Sequence, residues 1–327
     1  MSNSIKALET YLIPFNAVFA EEGINEITIN RPQEVWIEKG GELKVESYPE
    51  LTFSHLISLG QLIAQFTSQK LSEEYPLLSA TLPNGYRIQI IFPPACGANS
   101  VAMSIRKTST ELQNMEKYIL DSTKSNKSKK NYTLDDDTKI LKEYLEHDKI
   151  LEFLKHGIKC KKNFIISGGT STGKTSFANS LLAEIPIKER LITVEDAREI
   201  ILQNHNNKLH LITSKGGQGV SQIDTQDLIE ASLRLRPDRI ILGELRGKEA
   251  FSFLRAINTG HPGSVATVHA DSPNMAIEQL KLMVMQAGLS ISNEEIDQYI
   301  KKIVNVIIQL KRSDKGQRYV SEVFFNE

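Results

Sequence analysis

The sequence predicts an α/β protein in two parts: a small α+β domain at the N-terminus and a larger domain built on a mostly parallel sheet. Three observations predict this. Up to residue 107, short runs that alternate apolar and polar residues surround one segment of helical spacing. From residue 138 onward, short apolar runs alternate with helix-length segments, the rhythm of parallel strands joined by helical crossovers. Between them, 121–137 (DSTKSNKSKKNYTLDDD) has almost no apolar residue to bury and reads as a charged linker. The expected division is an N-terminal α+β domain at 1–120, the linker at 121–137 and the α/β domain at 138–327.

Each element follows from its local pattern. Residues 11–20 (YLIPFNAVFA) read as an amphipathic entry element. A cleaved signal is the weaker reading, because Lys6 and Glu9 precede the run and Glu21-Glu22 follow it. The segment 24–30 (INEITIN) alternates as a strand, and 34–46 (EVWIEKGGELKVE) is a hairpin turning at Gly40-Gly41. Residues 53–69 have helical apolar spacing. The segment 86–92 returns to period two, 93–100 (PPACGANS) breaks it, and 101–107 is another short strand. In the second part, a helical stretch at 138–157 leads to a strand at 163–167 and a helix from 173. Strands follow near 190–194 and 208–213, then a helix at 225–235, a strand at 239–243, a helix at 247–258 and a strand at 264–268. Further helices precede two closing strands, IVNVIIQL and RYVSEVFF. No internal repeat is present.

Composition narrows the function classes. The chain has 327 residues, 40% hydrophobic and 24% charged, ordinary values for a soluble globular protein of about two domains. A net charge of −1 argues against nucleic acid as the main partner. No apolar run approaches the ~18 residues of a membrane span. The two cysteines, Cys96 and Cys160, are isolated, which excludes a disulfide framework or a Cys-rich zinc site and fits a reducing compartment.

The strongest motif is ISGGTSTGKTS at 166–176. It fits G-x-x-x-x-G-K-[ST], with an apolar strand before it and a helix-compatible segment after it. Gly168, Gly169, Thr170, Ser171, Thr172 and Gly173 allow consecutive backbone N–H groups to turn inward onto phosphate oxygens. The helix that opens at Lys174, Thr175 and Ser176 adds its positive N-terminal end. Lys174 is placed for the β- and γ-phosphates, and the Thr175 hydroxyl for Mg²⁺. The implied ligands are ATP and Mg²⁺.

Hydrolysis needs further groups, and strand ends supply candidates. In DRIILGELRG (238–247) an apolar strand runs into Gly243-Glu244, so Glu244 is the candidate water-activating carboxylate. Its bland reading is a surface partner of Arg246 or Arg239. Gly243 stands where an acidic Mg²⁺ partner is usual, so the ion must be held otherwise. In LITVEDAREI (191–200), Glu195 and Asp196 close another strand, with Glu199 further on. Several carboxylates beside one phosphate site require a cation between them; the bland reading is an acidic helix start. In NTGHPGSVATVHADSP (258–273), His269 follows a short strand, where a γ-phosphate contact is plausible. It has no His or Cys partner at metal-ligand spacing.

Taken in order, GGTSTGKT, LITVEDAREI, RPDRIILGELRG and TGHPGSVATVHA resemble the type II/type IV secretion ATPase superfamily, and most resemble the hexameric traffic ATPases of bacterial type IV secretion systems. INEITINRPQEVWIE and NGYRIQIIFPP…SIRK resemble that family's N-terminal domain, so the resemblance covers the whole chain. It implies a RecA-like P-loop C-terminal domain, a homo-hexameric ring, and nucleotide between the two domains. It also implies Glu244 as catalytic base, Glu195 as a second carboxylate at the nucleotide, and His269 as the family's histidine box. Arg87 and Arg106 map onto N-terminal-domain arginines that reach the phosphates. The implied setting is cytoplasmic and peripheral at the inner membrane, with inner-membrane components of the secretion machine as partners. The implied function is a motor that powers assembly of, or transfer through, a type IV secretion system. A pilus assembly or retraction motor, or a type II secretion motor, is the alternative. The four-cysteine zinc element common in those relatives is absent, and the lysine-rich linker departs from the usual pattern. A nucleotide-binding scaffold is disfavoured because it needs neither Glu195 nor Glu244. DNA translocation remains open only through a locally basic ring interior.

Overall fold

The computed structural model describes residues 3–107, 135–213 and 219–326. Residues 121–134, the lysine-rich part of the expected linker, lie outside the described residues. The N-terminal part opens with α1 (Asn3–Leu12), a 3₁₀ turn (Ile13–Phe15) and α2 (Asn16–Ala20). It continues with β1 (Ile24–Arg31), β2 (Glu34–Lys39), β3 (Glu42–Ser47), α3 (Phe53–Phe66), β4 (Leu77–Thr81), β5 (Arg87–Ile91) and β6 (Ala102–Arg106). All six strands form one antiparallel sheet in the order β3-β2-β1-β6-β5-β4. Thr52 starts α3 by accepting the His55 N–H. The helices cover one sheet face, burying Leu8, Phe15, Leu56, Leu59 and Ile63 against Ile27, Ile29 and Ile105.

The second part begins with α4 (Asp136–Glu146) and α5 (Ile150–Lys159). The single helix expected at 138–157 is thus two, because Asp148 sits at φ 54° and turns the chain. The Asp run expected to end the linker instead starts α4: Asp135 accepts the Thr138 N–H at 2.7 Å. Then come β7 (Phe164–Gly168), α6 (Lys174–Leu182), β8 (Leu191–Glu195), β9 (Lys208–Ile212) and α7 (Thr225–Ser232). They are followed by β10 (Arg239–Leu242), α8 (Glu249–Asn258), β11 (Val265–Val268), α9 (Pro273–Met285), α10 (Asn293–Ile303), β12 (Val306–Arg312) and β13 (Arg318–Phe325). The sheet order is β13-β12-β7-β11-β10-β8-β9, parallel except for β13. Strands β7, β8, β10 and β11 are buried throughout, as crossover helices on both faces require.

The two sheets meet through a polar seam that the alternating pattern of β1 concealed. Ile27 and Ile29 face the helices, yet Glu26, Thr28 and Asn30 on the other face are also buried. Asn30 Nδ2 donates to Asn207 Oδ1 at 2.9 Å, Glu38 pairs with Arg236 at 3.5 Å, and Ile212 N–H donates to the Ala95 carbonyl at 3.0 Å. Ile91, Ala95, Cys96 and Ala102 complete the contact by packing into the core that covers one face of the parallel sheet. A face that reads as solvent-exposed in a lone sheet is thereby buried.

Candidate nucleotide site

Four adjacent strands, β7-β11-β10-β8, end at one edge of the sheet, and their C-terminal ends carry the expected groups. This is where an open parallel sheet leaves a crevice. The lining includes Thr170 to Ser176, Glu195, Asp196, Glu199, Gly243, Glu244, Arg246, Thr267, His269 and Arg318, around a cavity of about 390 Å³.

The loop after β7 is shaped by its own residues. Thr172 Oγ1 donates to the Gly169 carbonyl at 2.8 Å, closing the turn, and Gly173 enters α6 at φ +88°. A side chain at 173 would be strained there and would also strike Arg318 Cδ, 2.7 Å from an ideal Cβ. Lys174 Nζ donates to the Gly168 and Gly169 carbonyls at 2.9 and 3.3 Å and lies 3.3 Å from His269 Nδ1. Partial burial pulls the Lys174 ammonium below its ordinary pKa, against the opposing pull of the Glu244 carboxylate. That cost is relieved by an incoming anion. The cradle residues, the lysine and the oxygen donors Thr175 and Glu199 fit a magnesium–nucleotide ligand: Thr175 Oγ1 donates to Glu199 Oε2 at 3.1 Å, hard donors suited to Mg²⁺.

The two candidate carboxylates have different environments. Glu244 follows β10 on backbone held from both sides: Gly243 N–H donates to Val194 O at 2.9 Å and Leu245 N–H to Thr267 O at 2.9 Å. Its Oε1 lies 2.6 Å from His269 Nε2, and its Oε2 pairs with Arg246, which also pairs with Asp196. The Arg246 partner expected under the bland reading is therefore present, but within the pocket; Arg239 pairs with Glu189 instead. Glu195 is 4% exposed and fully engaged. Its Oε1 accepts the Glu199 and Ile200 N–H groups at 2.9 and 2.8 Å, and its Oε2 accepts the Thr193 hydroxyl at 3.0 Å, with His210 Nδ1 at 3.7 Å. Burial pushes the Glu195 carboxyl up, but the nearby His210 ring and the hydrogen bonds from the two backbone N–H groups and Thr193 together outweigh burial and hold it below the ordinary value. Glu195 therefore braces the turn that presents Glu199 to Thr175. The same packing explains Gly243, since an added Cβ would lie 3.2 Å from Glu195 Cγ.

The structure brings Gly168 to Ser176, Glu195, Glu244 and His269 together, and it does not bring Arg87 and Arg106 to them. Both arginines are exposed and line a separate cavity with Glu26, Ser104, Arg234, Arg236, Pro237 and His261. Pro237 and His261 precede β10 and β11, whereas Glu244 and His269 follow them, so this cavity lies at the opposite sheet edge. Six residues of extended chain from Pro237 to Gly243 span roughly 20 Å. The expectation that these arginines reach the phosphates fails within one chain for that reason.

Sequence reading missed Arg318, His210 and Thr193, and it left Arg246 as a mere surface partner. Arg246 and Glu199 carry a signal, since each lies within four residues of a strand-end carboxylate. Arg318 carries none: it reaches Gly173 only because β12 pairs with β7 and carries β13 beside it.

Comparison with known proteins identifies the family. The family model described as Type II/IV secretion system protein matches residues 13–322. The type IV secretion system protein VirB11 of Bartonella quintana is 36% identical over 340 residues, covering 100% of this chain and 95% of its own length. VirB11 of Brucella suis is 33% identical, covering 97% and 89%. The crystal structure of the VirB11 ATPase from the Brucella suis type IV secretion system, in complex with sulphate, superposes with a TM-score of 0.90 at 32% identity, covering 98% of this chain and 97% of that one. With its strand-end pocket and a match along nearly its whole length, the chain belongs to the type II/IV secretion system protein family.

Proposed function

We propose that the protein is the ATP-hydrolysing motor of a bacterial type IV secretion system, working as a homo-hexamer on the cytoplasmic face of the inner membrane. The observation that carries this reading is the convergence of a phosphate cradle, Lys174, Glu244, Arg246 and His269 on one sheet edge. Whole-length similarity to VirB11 proteins supports the secretion role. Among the described residues no helix is long and apolar enough to cross a membrane; membrane association would be peripheral, through inner-membrane partners.

In this reading the Gly168–Thr175 backbone and Lys174 hold the β- and γ-phosphates. Thr175 and Glu199 would hold Mg²⁺, which neutralises phosphate charge when bound. Glu244 is the base that orients water and takes its proton. Both its oxygens are engaged, one by His269 and one by Arg246. A γ-phosphate competes with Glu244 for the donors of Arg246 and His269 and draws on Lys174, leaving a Glu244 oxygen free to face water. Catalysis is thereby tied to occupancy. Glu195 acts as a brace rather than as a base. Arg318 extends the positive rim over the cradle. Arg87 and Arg106, exposed at the far edge, reach a nucleotide only on a neighbouring subunit of the ring. They therefore make turnover depend on assembly.

The test combines phosphate release from ATP, with and without Mg²⁺, and mass by light scattering with a non-hydrolysable analogue. Magnesium-dependent turnover that rises with formation of a six-subunit species is the expected result. A monomer with full turnover would remove the ring from the mechanism, and no turnover in any state would remove the motor.

A further inference from the structure

Outside the nucleotide pocket, one group of described residues brings three different donor types together: Asp137, His156 and Cys160. One carboxylate oxygen, one ring nitrogen and the thiol sulfur all lie within 4.8 Å of one another. Asp137 stands in the first turn of α4, His156 in the last part of α5, and Cys160 at the C-cap of α5. The spacing of four puts His156 and Cys160 on one helix face, and α4 packs against α5 so that its start meets that face.

We propose that Asp137, His156 and Cys160 form a binding site for a Zn²⁺-type transition-metal ion that staples the start of α4 to the end of α5. A carboxylate, an imidazole and a thiolate make a borderline-soft donor set, which suits zinc and not magnesium or calcium. Three protein donors leave a fourth tetrahedral position to water. The required movement is small. Asp137 Oδ1 and His156 Nε2 are 2.8 Å apart, and metal bonds of about 2.0–2.3 Å at tetrahedral angles need donor separations of about 3.3–3.7 Å. The first pair must open slightly and the sulfur must draw in, shifts within reach of side-chain rotation. Access is available, since the Asp137 and His156 side chains are 52% and 30% exposed. The nearby cation Lys162 is engaged by Thr138 Oγ1 at 2.8 Å and by Asp135 at 3.6 Å.

The site differs from the Cys-rich zinc element that composition excludes, because it needs one cysteine and recruits its other donors from a histidine one turn away and from a second helix. Binding displaces the thiol proton, so affinity rises with pH until the donors are free. Its position gives it a consequence. Helix α4 is the first described element after β6, so a bound ion fixes the point where the chain enters the parallel-sheet part of the fold.

The competing reading is an Asp137–His156 hydrogen bond beside a thiol that donates to the Gly157 carbonyl at 3.5 Å. The experiment uses the full chain, chelator-treated and free of nucleotide, titrated with Co²⁺ as the probe. A thiolate-to-cobalt charge-transfer band and tetrahedral d–d bands should saturate at one equivalent and vanish on adding Zn²⁺. Cys160→Ser should abolish the charge-transfer band. His156→Gln and Asp137→Asn should each weaken binding by at least about tenfold, the lower end of the cost of losing even an outer partner of a metal site. Zinc should raise the unfolding midpoint of the parent and not of Cys160→Ser. Absence of a thiolate band at excess Co²⁺, or a band that survives Cys160→Ser, overturns the proposal. So does a band that neither His156→Gln nor Asp137→Asn alters. Circular dichroism of each variant guards against misfolding, and if Cys160→Ser fails to fold, His156→Gln and Asp137→Asn decide the question.

Discussion

Glu195→Gln separates a brace from a base. The wild-type carboxylate accepts two backbone N–H groups and one hydroxyl while 4% exposed. Gln keeps an oxygen for Glu199 and Ile200, and its amide can donate to Thr193 Oγ1, so the contacts persist without charge. A hydrogen bond to a charged group contributes about 1.5–3 kcal/mol and a neutral one about 0.5–1.5. The change at the two backbone N–H bonds alone therefore costs about 2–3 kcal/mol. The urea midpoint should fall by the corresponding amount with an unchanged slope, because the surface exposed on unfolding is the same. Turnover of the folded variant should fall by less than about tenfold, since no Glu195 oxygen is free for water. Glu244→Gln should do the reverse: little change in stability or Mg²⁺-ATP affinity, and at least about a hundredfold slower hydrolysis, as losing a general base entails. The assay is urea denaturation, nucleotide binding and steady-state phosphate release on the same preparations. If Glu195→Gln is catalytically dead at unchanged stability while Glu244→Gln turns over like the parent, the roles are reversed and the bracing argument fails.

Other outcomes follow from the same geometry. Lys174→Ala should weaken nucleotide binding and abolish phosphate release, because a charge-assisted contact is lost; normal hydrolysis would contradict the cradle. Arg318→Ala should raise KM several-fold with kcat largely kept, since its stem lies over Gly173 in the cradle; a collapse of kcat alone would place it in the chemistry instead. Arg87→Ala and Arg106→Ala should lower turnover of the assembled ring with no change in the unfolding midpoint, because exposed arginines contribute little to folding; equal loss in ring and monomer would refute action across a subunit boundary. Glu189→Gln should destabilise by about 3 kcal/mol, since Arg239 is fully buried and held by both Glu189 oxygens at 2.7 and 2.8 Å. Burial raises the Glu189 carboxyl, but Arg239 and Lys161 outweigh it and hold it below its ordinary value. Its contribution is therefore present above the unfolded pKa of about 4.3 and is lost as pH falls through the lower folded value. Acid titration of stability should show a shallower decline in Glu189→Gln; an identical decline would exclude this pair as a source.

The sequence by itself determined the features that are local in the chain. The cradle at 166–176 is contiguous backbone, so its glycines, lysine and threonine announce it wherever the strand and helix around it end up. The same holds for Glu195, Glu244 and His269, each marked by an apolar run that stops just before it, and for the fold class, which follows from the order and length of apolar runs. Tertiary structure decided everything that depends on which strands are neighbours. Strand β7 lies beside β11 and β12, not beside β8, and that order alone brings Arg318 to Gly173 and His269 to Lys174. It also turned Glu195 inward onto its own loop while leaving Glu244 in the pocket, although both read alike as acids after strands. Arg87 and Arg106 went to the opposite edge because the antiparallel sheet docks there, through a polar β1 face whose burial needs a partner absent from its own segment. Periodicity reports which face of an element is apolar; it carries no information about what will cover the other face. That is set by nonlocal packing, and here nonlocal packing gave Glu195 and Glu244 different surroundings.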